Sequence, residues 1–213
     1  MIYAILSISI KPYRYGVKME VTKRNGTKEN FDSNKISRAI YKSFVATDTS
    51  IEDADLNALV VIVVNEVQLT GATSVEQIQD IVEKALMQSD YFDQAKAYIL
   101  YRSRQQELRR ARKSIVSLVG IDDINQVLKG IQKDFNQDIY SLVMLEAKLH
   151  AFVKNGMDKQ ERLASLVRAA NELTSTEATK WAYVAARITS FSYHEQIDEI
   201  NTSHGIEDRR AHV

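Results

Sequence analysis

The chain contains no cysteine, which excludes disulfides, thiolate–metal sites and thiol nucleophiles. One proline and seven glycines in 213 residues leave few points at which a helix must break. Basic and acidic side chains are equal at 28 each, so no whole-chain field draws the protein to nucleic acid or a membrane surface. No apolar run approaches the roughly 20 residues of a membrane-spanning helix. The sequence also lacks a Gly-x-x-x-x-Gly-Lys-Ser/Thr loop and a Gly-x-Gly-x-x-Gly turn after a strand, so P-loop and dinucleotide-binding readings are unsupported. His150, His194, His204 and His212 are scattered without metal-ligand spacing. What remains, 45% apolar and 26% charged, is ordinary for a soluble globular protein with one good core or two small ones.

The densest local signal is Val21-Thr-Lys-Arg-Asn-Gly-Thr-Lys-Glu-Asn-Phe-Asp-Ser-Asn-Lys-Ile36. Val21, Thr22 and Lys23 read as a short strand. Asn25-Gly26 is a strong hairpin turn because both residues tolerate positive φ, and a brief second strand ends near Phe31. Asp32 or Ser33 then caps a helix whose apolar positions Ile36, Ala39, Ile40 and Phe44 share one face. A basic hairpin beside a helix start offers an anion two side-chain cations and unpaired backbone N–H groups.

The rest reads as helix. Leu56, Leu59, Val60, Val63, Val64 and Val67 recur at helical spacing and Gly71 closes the run; its length and the flanking Asp53-Ala54-Asp55 favour helix despite the valines. Ser74-Val-Glu-Gln77 is a capping box ahead of Ile78, Val82, Ala85 and Leu86. Asp90 opens another helix, which runs through Tyr101 into the basic stretch Arg102–Lys113, read as a solvated helix end with phosphate or nucleic-acid binding as the alternative. Gly120 is the best domain boundary in the chain, since it separates this charged helix from a new apolar periodicity. Ile124, Val127, Leu128 and Ile131 form one stripe; Leu142, Leu145, Leu149, Phe152 and Val153 form another, ending at Asn155-Gly156. Asp158-Lys-Gln-Glu161 restarts the helix, and the last one carries Trp181, Val184, Ala185, Ile188 and Phe191, with Trp181 as a packing residue.

The expected fold is therefore mainly α (α+β): a small N-terminal β-hairpin packed on a helical domain, followed by a second helical bundle. The divisions are residues 1–18, an upstream extension or alternatively an extra edge strand; 19–113, the hairpin domain; 121–197, the second helical domain; and 198–213, a polar tail. Positive charges follow the apolar Met1–Ile10 instead of preceding it, which argues against a secretory signal.

The hairpin residues carry a family resemblance. Val-x-Lys-Arg-Asn-Gly followed by Glu29, Phe31-Asp32 and Lys35-Ile36 resembles the opening of an ATP-cone domain, the regulatory module of ribonucleotide reductases and of a related transcriptional repressor. Gly71-Ala-Thr-Ser-Val75 and Ala95–Arg104 resemble its later helices. Leu163–Ala170 through Trp181–Arg187 resembles the helical region preceding the catalytic barrel in class I ribonucleotide reductase large subunits.

The resemblance implies an allosteric ATP/dATP-binding regulatory region of a ribonucleoside-diphosphate reductase large subunit, cytoplasmic and not catalytic as this chain alone. Its effector would be ATP or dATP, with or without magnesium. Val21, Lys23 and Arg24 match hairpin positions that, in similar cones, cover the nucleotide and contact its phosphates. Glu29 and Asp32 match positions near the base and the following turn. Lys35 matches a phosphate-pairing cation, and Tyr101 and Arg104 match the closing helix that lines the pocket. Gln79 stands where some relatives have histidine. Implied partners are the nucleotide effector and the small radical-generating subunit, or self-association through the cone, with no membrane or nucleic acid. The alternatives are a cone-containing transcriptional regulator, whose family has a cysteine zinc ribbon absent here, and an inert helical interaction domain with a decayed cone.

Overall fold

The computed structural model of the protein describes residues 19–203; the expectations for residues 1–18 and for 204–213 lie outside them. The hairpin pairs β1 (Glu20–Thr22) with β2 (Lys28–Asn30), antiparallel, with Val21 opposite Glu29. Its loop is longer than a two-residue turn. Lys23 N–H donates to the Thr27 carbonyl at 2.7 Å and Gly26 N–H to the Lys23 carbonyl at 2.9 Å. Only Gly26, at φ +82°, occupies the left-handed region, so the loop is a three-residue turn that needs one glycine instead of two permissive residues. Asn25 secures it by accepting from the Thr27 N–H and hydroxyl.

Helix α1 (Ser33–Ala46) starts where Asp32 accepts from the Asn34 N–H. The valine-rich run is helix α2 (Asp53–Thr70), closed by Gly71 in the left-handed conformation. Helix α3 (Val75–Gln88) begins with the reciprocal capping box of Ser74 and Gln77. Thr22 N–H donates to the Thr73 carbonyl at 2.7 Å, which fastens the hairpin to the α3 entry. Asp90 does not open the next helix. At φ +63° it terminates α3, with Tyr91 N–H reaching back to the Leu86 carbonyl. A short polar side chain that tolerates left-handed backbone serves a helix exit as well as an entry.

Helix α4 (Phe92–Val119) is continuous through the basic stretch, and the chain divides into two compact units inside it, between Ser103 and Arg104. Gly120, at φ +75°, ends the helix itself. The basic stretch is thus mid-helix, not a solvated end. Arg102 is held by Asp80 and Glu83, Arg104 by Asp138, and Arg112 by Gln132.

In the first unit, Ile36, Ile40 and Phe44 of α1 pack with the α2 stripe Leu56–Val67, with Ile78, Val82 and Leu86 of α3, and with Ala95 and Tyr98 of α4. Phe44 is 1% exposed and meets Tyr91 edge-on at 5.0 Å. In the second unit, Leu108, Ala111, Ile115 and Val119 of α4 join α5 (Ile124–Asp134), α6 (Leu142–His150), α7 (Lys159–Glu172) and α8 (Trp181–Ser203). Fully buried Trp181 meets Tyr140 edge-on at 5.8 Å, and Tyr140 meets Phe135 at 5.9 Å. Helix α6 ends at His150, before Phe152 and Val153, which pack on the core from the following turn. Gly156, at φ +89°, serves that turn and not a helix cap. Asp158 caps α7 in a second capping box. Helix α8 continues to Ser203, into the stretch expected as polar tail.

Candidate functional site

Two neighbouring cavities lie in the first unit. The smaller, about 170 Å³, sits under the hairpin and is lined by Val21, Phe31, Asp32, Val75 and Ile78 among others. The larger, about 350 Å³, opens between α1, α3 and α4. Lys35, Ala39, Gln79 and Tyr98 line both, so they form the shared wall.

Each wall follows from local sequence. Lys35, Arg38 and Lys42 recur at i, i+3 and i+7 on α1, opposite in character to its buried Ile36–Ile40–Phe44 stripe. Ala39 and Ala46 keep the α1 wall low enough for a concavity. On α4, Ala97, Tyr98, Tyr101 and Arg102 form the facing wall. Tyr98 is 8% exposed. Burial and then the Glu83 carboxylate push its hydroxyl up to about 12, so it stays protonated and available as a donor.

An ion-pair chain closes the hairpin side. Glu29 on β2 takes Lys23 at 2.8 Å and Lys35 at 2.8 Å, and these two bonds hold its carboxyl below the ordinary range. Arg24 bonds Glu76 at 2.6 Å and Gln79 at 2.7 Å, and Gln79 lies against the Tyr98 hydroxyl. Arg102 feels burial, which opposes its charge; Glu83 and Asp80 outweigh it and raise its pKa.

The eight residues nominated from sequence divide accordingly. Val21, Glu29, Asp32, Lys35 and Tyr101 line the two cavities. Val21 does so as a core residue, 5% exposed, and Asp32 while also capping α1. Lys23 and Arg24 are not among the lining residues; carboxylates draw both aside. Arg104 lies elsewhere. It sits two turns beyond Ala97 on the α4 surface, in the second unit, paired with Asp138. Sequence reading missed Arg38, Lys42, Tyr98 and Arg102, although the basic i, i+3, i+7 spacing on α1 was visible. Tyr98 and Arg102 needed the α4 orientation.

Comparison with known proteins fits this geometry. Residues 19–107 match the family model described as the ATP cone domain, and the chain carries that domain. Over its N-terminal part the chain is homologous to ribonucleoside-diphosphate reductase large subunits. It is 35% identical over 182 residues to the ribonucleoside-diphosphate reductase subunit alpha of Treponema pallidum, covering 82% of this chain and 22% of that protein. It is 37% identical over 120 residues to the vitamin B12-dependent ribonucleoside-diphosphate reductase of Thermoplasma acidophilum, covering 53% of this chain and 15% of the other. It is 33% identical over 121 residues to the anaerobic ribonucleoside-triphosphate reductase of Escherichia coli, covering 56% and 15%. The chain therefore spans about a fifth or less of these relatives. Cone and homology together mark a regulatory region. Among the described residues no helix is long and apolar enough to cross a membrane.

Proposed function

We propose that this chain is an allosteric region of a ribonucleoside-diphosphate reductase large subunit, and that ATP and dATP compete for the paired cavities of its cone. The carrying observation is the shared wall of Lys35, Gln79 and Tyr98 between an apolar hollow under the hairpin and a cation-rich hollow beside it. An apolar hollow suits a nucleoside, and a cationic one suits its phosphates. Glu29 and Asp32 border the nucleoside end, Tyr101 offers its ring at the open side, and Lys23 and Arg24 clasp the hairpin shut through Glu29, Glu76 and Gln79.

The relatives support a regulatory role over a catalytic one. Their names describe a subunit alpha, a vitamin B12-dependent enzyme and an anaerobic triphosphate reductase, so the stretch they share with this chain is not tied to one cofactor or substrate phosphorylation state. Regulation requires that ATP and dATP favour different states, a coupling of typically about 1–3 kcal/mol. The readout would be association with the small radical-generating subunit or of the cone with itself.

Titration calorimetry of the purified chain with ATP and dATP tests this. Saturable binding of both, mutually competitive and weakened about tenfold by Lys35→Ala, is expected from the loss of one charge-assisted contact. Absence of saturable binding in the intact chain would remove the proposal.

A further inference from the structure

Helix α8 buries one face and leaves another uncovered. Trp181, Val184, Ala185 and Ile188 lie in the core of the second unit. On the opposite side Ala182, Ala186, Ser190, Tyr193, Ile197 and Ile200 follow one another at spacings of three and four residues. They form a single stripe roughly 27 Å long. All six are exposed, and Tyr193, Ile197 and Ile200 keep 62%, 54% and 57% of their surface open. Helix α7 does not cover the stripe. Its Gln160 holds the back half of α8 from the flank, through Gln196 and Glu199.

Two properties change along this stripe, and both change in the same direction. Size is the first. The front half presents Ala182, Ala186 and Ser190, which line a hollow of about 440 Å³ that Tyr193 closes, whereas the back half presents tyrosine and two isoleucines. Charge is the second. In the front half, residues 180–190, the charged side chains are Lys180 and Arg187; in the back half, 191–202, they are Glu195, Asp198 and Glu199, beside His194. Cations at the start of a helix and carboxylates at its end oppose the helix dipole, so this order does not serve the helix that carries it. Arg187 is drawn to Asp134 at 2.7 Å, whereas Lys180 has no ion pair among the described residues.

We propose that this face of α8 docks antiparallel on the same face of a second copy of the chain. A two-fold axis near the middle of the stripe sets Ala182 opposite Ile200, Ala186 opposite Ile197 and Ser190 opposite Tyr193, so each large side chain meets a small one. The same operation brings the Lys180–Arg187 half of each helix to the Glu195–Glu199 half of the other. A parallel pair would set isoleucine on isoleucine and acid on acid. The contact involves the second unit alone and does not depend on nucleotide binding in the cone. One helix face is a small interface, so the association is weak.

The test is sedimentation velocity of the full chain together with thiol cross-linking. A reversible dimer is expected at concentrations on the order of 100 µM, in keeping with so small an interface. Ile197→Asp and Ala186→Arg should each weaken it about tenfold or more, since one removes a large apolar contact and the other fills the hollow with charge. Both positions are exposed, so thermal melting of these variants should match wild type. The chain has no cysteine, so a single introduced thiol reports one position. Ala186→Cys chains mixed with Ile197→Cys chains should be joined by a short bis-maleimide faster than either variant is joined to itself. A chain that stays monomeric overturns the proposal, as does a dimer that survives both substitutions. Cross-linking that is fastest within one variant overturns the antiparallel arrangement and the proposal with it.

Discussion

The two units use tyrosine in opposite ways. In the second, Tyr140 is 7% exposed and wedged between Phe135 and fully buried Trp181, part of an aromatic chain that seals a core. In the first, Tyr98 is almost as buried but lines a cavity, and Tyr101 one turn on is 57% exposed at the same opening. The hollow found on the second unit, lined by Asn171, Ala182, Ala185, Ala186, Thr189, Ser190 and Tyr193, contains no charged side chain. The cone's larger cavity contains four. Helix packing thus gives a sealed bundle where aromatics meet one another, and a cation-lined concavity where alanine and cations face tyrosine.

The largest effect should come from the sealed side. Trp181→Ala is expected to cost about 3–5 kcal/mol, the range for removing a fully buried large aromatic, read from denaturant unfolding of the full chain. A cost below about 1 kcal/mol would mean the aromatic chain is not what seals the second core. Next come the two capping boxes, one in each unit. Ser74→Ala and Asp158→Ala should each cost about 1 kcal/mol. Ser74→Ala should also weaken ATP, because the α3 entry anchors the hairpin through Thr22 and Thr73, whereas Asp158→Ala should leave ATP unchanged. Equal effects on binding would erase the functional contrast between the units.

The smallest effect is electrostatic. Glu29 in the cone and Glu172 in the second unit both have lowered carboxyl pKa values. In Glu29 the bonds from Lys23 and Lys35 cause it; in Glu172 the Lys148 bond is the larger cause and Arg168 adds to it. A lowered folded-state pKa contributes stability above the unfolded value, and that contribution is lost as pH falls through the folded value. Carboxyl NMR titration should therefore give midpoints below the ordinary 4.5 for both residues. Saturating ATP should raise the Glu29 midpoint by drawing Lys35 away and should leave Glu172 unmoved. A Glu29 midpoint at or above 4.5 would show that its two lysines do not hold it in solution.

Much of this was legible in the chain. The capping boxes at Ser74 and Asp158, the left-handed exit at Gly71 and the helical reading of the α2 valines depend on contacts within a few residues, which sequence encodes directly. The hairpin was legible for the same reason, although its loop geometry was not: Asn25-Gly26 is compatible with two turn types, and the bonds that Thr27 donates to the Asn25 side-chain oxygen belong to the longer one. Asp90 misled because a residue that tolerates left-handed backbone fits either end of a helix. Lys23, Arg24 and Arg104 do not line the cavities, for a tertiary reason. Their partners Glu29, Glu76 and Asp138 lie on other elements, and local spacing does not reveal which anion captures a long cation.

The amino-acid sequence by itself determined the buried faces of the described helices, the caps at Asp32, Ser74 and Asp158 and the hairpin that opens the cone, because these rest on periodicity and short-range hydrogen bonds. Only the tertiary structure decided which cations stayed unpaired. That outcome depends on how α1, α3 and α4 pack, since their packing delivers carboxylates to Lys23, Arg24, Lys35 and Arg102 and leaves Arg38 and Lys42 facing an open hollow.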